Sequence, residues 1–342
     1  MGNALKAAVF RGVRKIDITD VPKPEPDANE VLVKVKYCGI CGSDVGSYKT
    51  GTYEEGLVIG HEFSGEIVKL GQGVAGWKLG DRIVGNGVRP CGRCYFCHHN
   101  RPSLCDNVQM CGVSFDGAFA EFVKVPSDIL YRIPDSVSDE EATLVDPLSN
   151  CIHAVRHSAL QLGDRVLIVG AGPIGLLMLQ CVKLAGASAV YVSEVSDKRR
   201  GMAEKLGATA SYDPSRENLY VKMDEVTAGR GPDVLFECAG TPHTLREAVT
   251  LVRKGGQVFV ISICEEHVEA DFMTPVLNEL DIRGSYCGYE EYPQAIDMIA
   301  KKRVDVKSLI SDVIPLDHLV EKGFEVLAKP RTEAVKIIAK IS

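Results

Sequence analysis

The sequence predicts a two-part α/β protein, a β-rich region followed by a doubly wound parallel sheet, and three observations carry that prediction. At 342 residues the chain is too long for one ordinary core. Its first 150 or so residues are rich in glycine, proline and short extended runs bounded by turn residues. Beyond about residue 160 the pattern becomes strand, glycine turn, helix, repeated.

In chain order, the segments EVLVKVKYCGI (30–40), FSGEIVKLG (63–71), DRIVGNG (81–87) and FAEFVKVP (119–126) read as short strands of an antiparallel or mixed sheet. RVLIVG (165–170) is a continuous apolar run, the mark of a strand covered on both faces. The stretch 173–186 reads as a helix, with Pro173 in its first turn and Gly186 past its end. AVYVSE (189–194), DVLFEC (233–238) and GQVFVISI (256–263) are further buried strands, separated by helical stretches at 198–207 and 244–252. One more helix follows GSYCGY, at 292–303, and the chain closes in short mixed elements. There is no internal repeat and no low-complexity segment.

Composition excludes several function classes. A net charge of −7 gives no footprint for nucleic acid or an acidic membrane surface. No run of 18 apolar residues spans a bilayer. The opening MGNALKAAVFRGVRK is broken by charge and is not read as a signal peptide, so a cytoplasmic protein is expected. Twelve cysteines without a secretory signal point to metal or catalytic roles before a disulfide framework.

Gly170, Gly172 and Gly175 form GAGPIG between the 165–170 strand and its helix, with Pro173 and Ile174 filling the turn. The first glycine allows the tight turn, the second admits a pyrophosphate, and the third lets helix pack on strand. Glu194 ends the next strand, 24 residues after Gly170, where a carboxylate can hold a ribose 2′-hydroxyl and repel a 2′-phosphate. NAD is therefore expected over NADP. Arg199, counted with Gly170, Gly172, Pro173, Ile174, Gly175 and Glu194 among the candidate cofactor-binding residues, and Arg200 lie close enough to weaken that preference, though solvated helix charges are the reading preferred for both. The competing reading is a glycine-rich packing turn beside a surface glutamate.

Cys91, Cys94, Cys97 and Cys105 give C-x2-C-x2-C-x7-C in a loop broken by Pro90, Gly92 and Pro102. Four thiolates so close suit a closed tetrahedral zinc that stabilises a lobe with little core. An iron–sulfur cluster also takes four cysteines, but the terminal Cys-Pro of bacterial ferredoxins is missing. His98 and His99 are read as surface residues. A second, open site is suggested by Cys41 in CGICGSD and by His61 and Glu62 in IGHEFSG, both placed on short turns. One thiolate, one imidazole and one or two carboxylates suit a zinc that keeps a position free for substrate. Taken alone, Cys41 or His61 is more often structural.

CGICGSD, GHEFSGEIV, GDRIV, the four-cysteine lobe, GAFAEFVKVP, LVDPLSNCIHAV, GAGPIG and the closing GSY together resemble the zinc-containing medium-chain dehydrogenase/reductases, in their polyol and threonine dehydrogenase branch. The similarity runs over nearly the whole length. It implies a GroES-like catalytic domain of residues 1–152 and 288–342 with a zinc lobe at about 88–112, a Rossmann NAD-binding domain of residues 153–287, and an active cleft at their junction. It implies two zinc ions per subunit, one catalytic and one structural. Cys41, His61 and Glu62 match the catalytic ligands, and Cys91, Cys94, Cys97 and Cys105 the structural ones. Asp146, in LVDPLSN, stands where alcohol dehydrogenases have Cys and polyol enzymes usually Glu. Being shorter, it is expected to reach zinc through water and to exchange with Glu62 during turnover. Ser43 matches the hydroxyl residue that contacts the alcohol and starts its proton relay.

Two departures concern substrate identity. Gly46 replaces a histidine of that relay, and Asn86 a glutamate near the entrance. Tyr48 lines the pocket or is only a packing aromatic. The expected reaction is hydride transfer from a secondary alcohol of a polyol, sugar alcohol or vicinal diol to NAD, reversible as ketone reduction, with L-threonine 3-dehydrogenase activity as the alternative. Zinc lowers the pKa of a bound water to about 7 and acts likewise on an alcohol, which is why the chemistry needs it. The resemblance further implies a homo-oligomer, a tetramer before a dimer, with a small-molecule substrate and no nucleic-acid or membrane partner. A zinc-ribbon nucleic-acid module is opposed by the acidic charge. A zinc-free reductase is opposed by the presence of Cys41, His61 and Glu62.

Overall fold

The computed structural model describes residues 4–342, so the first three residues of the expected catalytic domain lie outside the described residues. The chain divides into two compact units, one running to Ser149 and resuming at Tyr289–Ser342, the other Asn150–Gly288.

The first unit is built on a seven-stranded sheet. Its strand order is Ile310–Pro315, Lys336–Lys340, Glu30–Gly39, Glu62–Leu70, Arg82–Gly85 and Leu130–Arg132, with Phe122–Pro126 also pairing Glu30–Gly39. Glu30–Gly39 is the organising strand. It pairs antiparallel with Glu62–Leu70, with Phe122–Pro126 and with the late strand Lys336–Lys340. Its Val31, Val33 and Val35 share one face by the two-residue period of a strand. They enter a core with Ile59, Phe63, Ile67, Phe119 and Ile337. An N-terminal hairpin, Ala4–Phe10 with Ile16–Pro22, lies outside this sheet.

The second unit is a six-stranded, wholly parallel sheet in the order Ala210–Tyr212, Ala189–Ser193, Arg165–Val169, Val234–Glu237, Gln257–Val260, Asp281–Gly284. Numbered along the unit, this is 3-2-1-4-5-6, the doubly wound order in which the succession of strands switches sides at Arg165–Val169. The continuous apolar runs read from the sequence are its central strands, and Val166, Leu167 and Ile168 are fully buried. The outermost strand, Asp281–Gly284, is exposed along its whole length. The fold is thus α/β, a Rossmann doubly wound sheet with a β-rich GroES-like part.

One local expectation needs correction. Cys41 does not sit on a simple turn but caps the helix Gly42–Thr50. That helix has weak amphipathicity and two glycines, which hid it. It is started by Asp44, whose Oδ2 accepts the Cys41 amide at 3.2 Å, and stopped by Gly51 at φ 81°. Asp146 lies in the first turn of a helix, Val145–His157. Pro147 is tolerated there because first-turn amides have no intrahelical acceptor.

Candidate metal centres and dinucleotide turn

Cys41 at a helix start, and His61 and Glu62 at the head of the strand Glu62–Leu70, bring one sulfur, one nitrogen and one carboxylate oxygen within 4.8 Å of one another. Ligands about 2.0–2.3 Å from a shared metal stand roughly 3.3–3.8 Å apart, so the set needs little adjustment to close on an ion. The donor chemistry suits zinc. His61 adds a direct indication: its Nδ1 is buried and has no hydrogen-bond partner. Asp44 Oδ1 stands 3.6 Å from that nitrogen, beyond hydrogen-bond reach, and sets a negative charge beside the ring. Burial works against a charged imidazole here, but Asp44, then Cys41 and Asp146, outweigh it and hold His61 well above its ordinary value. The pocket therefore carries a field that favours a cation.

Glu62 is not left as a bare buried charge. The Lys336 ammonium, itself buried, donates to Glu62 Oε2 and to the Ile40 carbonyl at 2.8 Å. Burial lowers the Lys336 pKa, but Glu62, Cys41 and Asp146 together raise it above its usual range. Lys336, Asp44 and Tyr292 were missed from the sequence. Asp44 was legible in principle, since it follows Cys41 at capping-box spacing. Lys336 carried only the faint signal of a lysine in an apolar closing strand, and Tyr292 carried none.

Asp146 stands near this group but outside its 4.8 Å set. A Cβ added at Gly87 would lie 3.3 Å from His61 Cβ and 3.7 Å from Asp146 Oδ2, which places the carboxylate beside the His61 side chain. Oδ2 accepts a hydrogen bond from the Tyr292 hydroxyl. Ser43 is half-buried in the first turn of the Cys41 helix. Tyr53 sends its hydroxyl to Asp44 Oδ1 at 3.2 Å. Tyr48 is settled as a packing aromatic: it is 1% exposed, its hydroxyl donates to Glu325 at 2.6 Å and its ring lies 5.2 Å from that of Phe324. Asn86 is fully buried and works as a bracket, accepting from the Val88 amide at 2.9 Å and donating to the Tyr289 carbonyl at 3.3 Å. Its position accounts for the amide: a carboxylate there would lose the donor.

Cys91, Cys94, Cys97 and Cys105 also converge within 4.8 Å. The segment is more ordered than the loop expected, with a short helix Tyr95–His98 and a 3-10 turn Pro102–Leu104 between the cysteines. Backbone amides point at the sulfurs. Cys105 Sγ accepts from the Cys91 amide at 3.1 Å and the Asn107 amide at 3.3 Å. Amides of Cys97 and Asp106 pull the Cys94 thiol down to about 6. Thiolates so supported fit a closed tetrahedral ion. His98 and His99 are exposed, and His99 stacks on Tyr95 at 4.0 Å.

In the second unit, Gly170 turns at φ 95°, where a Cβ would meet Ala239 at 3.0 Å. At Gly175 a Cβ would fall 1.9 Å from the Gly170 carbonyl, so helix and strand approach too closely for any side chain. Gly172 differs. A Cβ there meets nothing within 4 Å, so the protein's own packing does not demand glycine. The bare position leaves the N-terminus of the helix Pro173–Leu184 open to a phosphate. Pro173 and Ile174 form that helix's first turn, and the Ile174 carbonyl accepts from Cys151 Sγ at 3.4 Å. Glu194 is bound to the same turn: Oε2 accepts the Ala171 amide at 2.8 Å and Oε1 the Ser196 amide at 2.9 Å.

The reading of Arg199 and Arg200 as solvated helix charges is overturned. The Arg199 side chain is only 15% exposed, with Nη1 4.0 Å from Glu194 Oε2. Arg200 is drawn inward by the Glu194 carbonyl at 2.6 Å and by Asp197 and Asp213. Three acceptors at one helix edge outcompete water for these guanidinium groups.

Comparison with known proteins gives two family matches, the second running past Gly288 into the first unit. Residues 27–135 match the alcohol dehydrogenase GroES-like domain, and residues 173–301 match the zinc-binding dehydrogenase family. The sorbitol dehydrogenase of Bacillus subtilis (strain 168) is 35% identical over 342 residues, covering 98% of this chain and 96% of that protein. An L-threonine 3-dehydrogenase of Alteromonas mediterranea is 34% identical over 334 residues, covering 96% of each. Among solved structures, a zinc-binding dehydrogenase of Sinorhizobium meliloti 1021 bound to NADP superposes with a TM-score of 0.91 at 33% identity, covering 99% of this chain and 100% of that one.

Proposed function

Because the chain belongs to the zinc-containing medium-chain dehydrogenase/reductase family, in the branch of the polyol and threonine dehydrogenases, we propose that it oxidises a secondary alcohol of a small polyol or vicinal diol with NAD. Membership makes it a zinc-dependent oxidoreductase acting on CH–OH groups. The observation that carries the finer reading is the convergence of Cys41, His61 and Glu62. In this reading residues 1–152 and 288–342 form the catalytic domain and residues 153–287 the NAD-binding domain. The catalytic zinc is held by Cys41, His61 and Glu62 with Asp146 near it, and a structural zinc by Cys91, Cys94, Cys97 and Cys105.

Zinc supplies Lewis acidity to the alcohol oxygen, and NAD supplies the hydride acceptor. The chain's residues do the rest. Asp44 Oδ1, 3.6 Å from His61 Nδ1, sets a negative charge beside the ring. Lys336 balances the Glu62 charge, which lets that carboxylate tighten or relax its hold without becoming a lone buried anion. The Ser43 hydroxyl relays the proton that leaves the substrate, accepting it as its own proton passes outward toward solvent. The helix N-terminus at Gly172 receives the pyrophosphate. Glu194, already shaped by two amides, uses its remaining lone pairs for the ribose hydroxyls. Its charge opposes a 2′-phosphate, and Arg199 at 4.0 Å softens that opposition. The preference for NAD is accordingly moderate, not absolute.

The second reading, L-threonine 3-dehydrogenase activity, is favoured by the 34% identity to an enzyme of that name. The chain acts as a homo-oligomer, a reading supported by the exposed edge strand Asp281–Gly284. It works in the cytoplasm, which suits cysteines grouped as metal ligands. Among the described residues no helix is long and apolar enough to cross a membrane.

NAD reduction measured across a panel of sugar alcohols, vicinal diols and L-threonine distinguishes the substrate readings, and turnover of threonine alone would replace the first by the second. With the right substrate in hand, Cys41→Ala should abolish turnover while the dissociation constant for NADH, read by fluorescence, moves less than about twofold, since zinc and dinucleotide are held by different residues. Equal loss of binding and turnover would remove Cys41 from the metal site.

A further inference from the structure

The strands of the second unit run parallel and end on one edge, where a single buried carboxylate ties two strand ends together. Glu237 closes the strand Val234–Glu237 and is fully buried. Its Oε1 accepts from the Ala239 and Gly240 amides, each at 3.0 Å, and from the Thr244 hydroxyl at 2.8 Å. Its Oε2 accepts from the hydroxyl of Ser262, which stands just past the neighbouring strand Gln257–Val260. The Glu237 carbonyl reinforces that crossing, accepting from the Ile261 amide at 3.1 Å and the Ser262 amide at 3.3 Å. The two loops also touch: at Gly240, where φ is 68°, a Cβ would lie 2.9 Å from the Ile263 carbonyl oxygen. The donors are neutral amides and hydroxyls, so the charge is stabilised by hydrogen bonds alone. The loops cannot part without stranding it. On its other side the braced loop meets the dinucleotide turn. The Cys238 amide donates to the Val169 carbonyl at 2.8 Å, and the Cβ position of Gly170 falls 3.0 Å from Ala239.

We propose that Glu237 is a positioning residue for the nicotinamide half of the bound cofactor, locking the loops after Val234–Glu237 and Gln257–Val260 into one rim. The proposal rests on reading GAGPIG as a dinucleotide turn with the adenosine half beside Glu194. A dinucleotide lies across the carboxyl edge of a doubly wound sheet with one mononucleotide on each half. Glu194 braces the first half by accepting the Ala171 amide of the adjoining turn. Glu237 braces the second in the same manner, but the two glutamates differ in what they have to spare. Glu237 is 0% exposed and its Oε1 already takes three donors, so it does not reach a ligand itself. Its effect passes through the rim, where Ala239 is exposed and Gly240 and Ser262 are half-buried. Removing the carboxylate frees that rim while leaving the turn at Gly172 and the contacts of Glu194 in place.

The test measures binding to the full-length protein. The parent should bind NADH or NADPH with the enhanced, blue-shifted emission of a ring held out of water. Glu237→Ala should weaken the better-bound of the two by roughly tenfold and shrink the emission change, since small displacements of a supporting residue are enough. ADP, which lacks the nicotinamide half, should keep its affinity within about twofold in every variant. Ser262→Ala cuts one tie and should give a smaller loss of the same kind, roughly threefold. It carries the test alone if Glu237→Ala does not fold. Glu237→Gln should recover most of the parent affinity, because its amide oxygen can accept the three donors and its NH2 can donate to the Ser262 oxygen. Parent-like dinucleotide affinity and emission in Glu237→Ala, or in Ser262→Ala where that variant stands alone, overturns the proposal. So does a loss of ADP affinity as large as the dinucleotide loss, since the carboxylate then supports the whole unit and not one half of the site. A loss in Glu237→Gln equal to that in Glu237→Ala overturns it as well, because charge and not the tie is then at work. If the parent binds neither NADH nor NADPH, the dinucleotide reading itself fails, and this proposal with it.

Discussion

Lys336 is 1% exposed, and its ammonium has a carboxylate and a carbonyl for company. Taking two opposite charges out of water gains little net stability, but removing one of them leaves the other desolvated and uncompensated. Lys336→Met should therefore destabilise the protein by about 3–5 kcal/mol, measured by urea unfolding of the zinc-loaded form. A loss below about 1 kcal/mol would mean that Glu62 is balanced by the metal alone. The same physics marks the limit of legibility at this scale. Cys41, His61 and Glu62 could be picked out because each lies in a short glycine-rich motif. Lys336 lies 274 residues from Glu62 and Tyr292 lies 146 from Asp146, so no local pattern announces either partner.

Among elements, the runs 165–170, 189–194 and 256–263 were legible because strands buried on both faces must be apolar throughout. Ala210–Tyr212 was not, being three residues long and only half-buried. The helix Gly42–Thr50 depends on its capping contact with Asp44 more than on its own composition. Two elements make specific claims. The four-cysteine segment has short helical turns with no buried face in the Tyr95–His98 helix, and the proposed zinc would supply the order that burial does not. Cys97→Ala should lose one zinc per chain by metal analysis, lower the melting temperature and open residues 91–105 to protease. A variant with unchanged melting temperature would show the ion to be dispensable. The dinucleotide turn and the end of the next strand form one hydrogen-bonded piece through Glu194. Glu194→Ala should raise KM for NAD and reduce the ratio of kcat/KM for NAD over NADP by roughly tenfold or more, the equivalent of one charged hydrogen bond. An unchanged ratio would assign the choice of cofactor to other residues.

At the scale of the whole molecule, the outer strand Asp281–Gly284 and the adjoining helix Met273–Leu277 expose an unusual amount of apolar surface. Phe272 and Val276 are each 75% exposed, Leu277 71% and Ile282 47%. An uncapped sheet edge beside such a patch is a template for another chain. Paired antiparallel about Ile282 with a second copy, the strand would set Asp281 against Arg283 of that copy and Arg283 against Asp281. Ile282→Lys should shift the assembly to a smaller mass in light scattering, with zinc content retained. An unaltered mass would place the interface elsewhere. This surface was not legible from the sequence, because an apolar helix facing water reads the same as one facing a core.

The interrupted first unit also has a history in time. Cys41, His61 and Glu62 leave the ribosome early, but Lys336 follows Glu62 by 274 residues, a delay on the order of 15–55 s at about 5–20 residues per second. Throughout that interval the sheet lacks the strand Lys336–Lys340, which pairs directly with Glu30–Gly39. The intervening unit, Asn150–Gly288, is contiguous and closes on itself, with the Gly288 amide bound to Asn150 Oδ1 at 2.5 Å. It can finish folding while the metal pocket is still open on one side. A nascent chain thus presents a thiolate, an imidazole and an unneutralised carboxylate to whatever ion arrives first, and the late strand then seals that choice in.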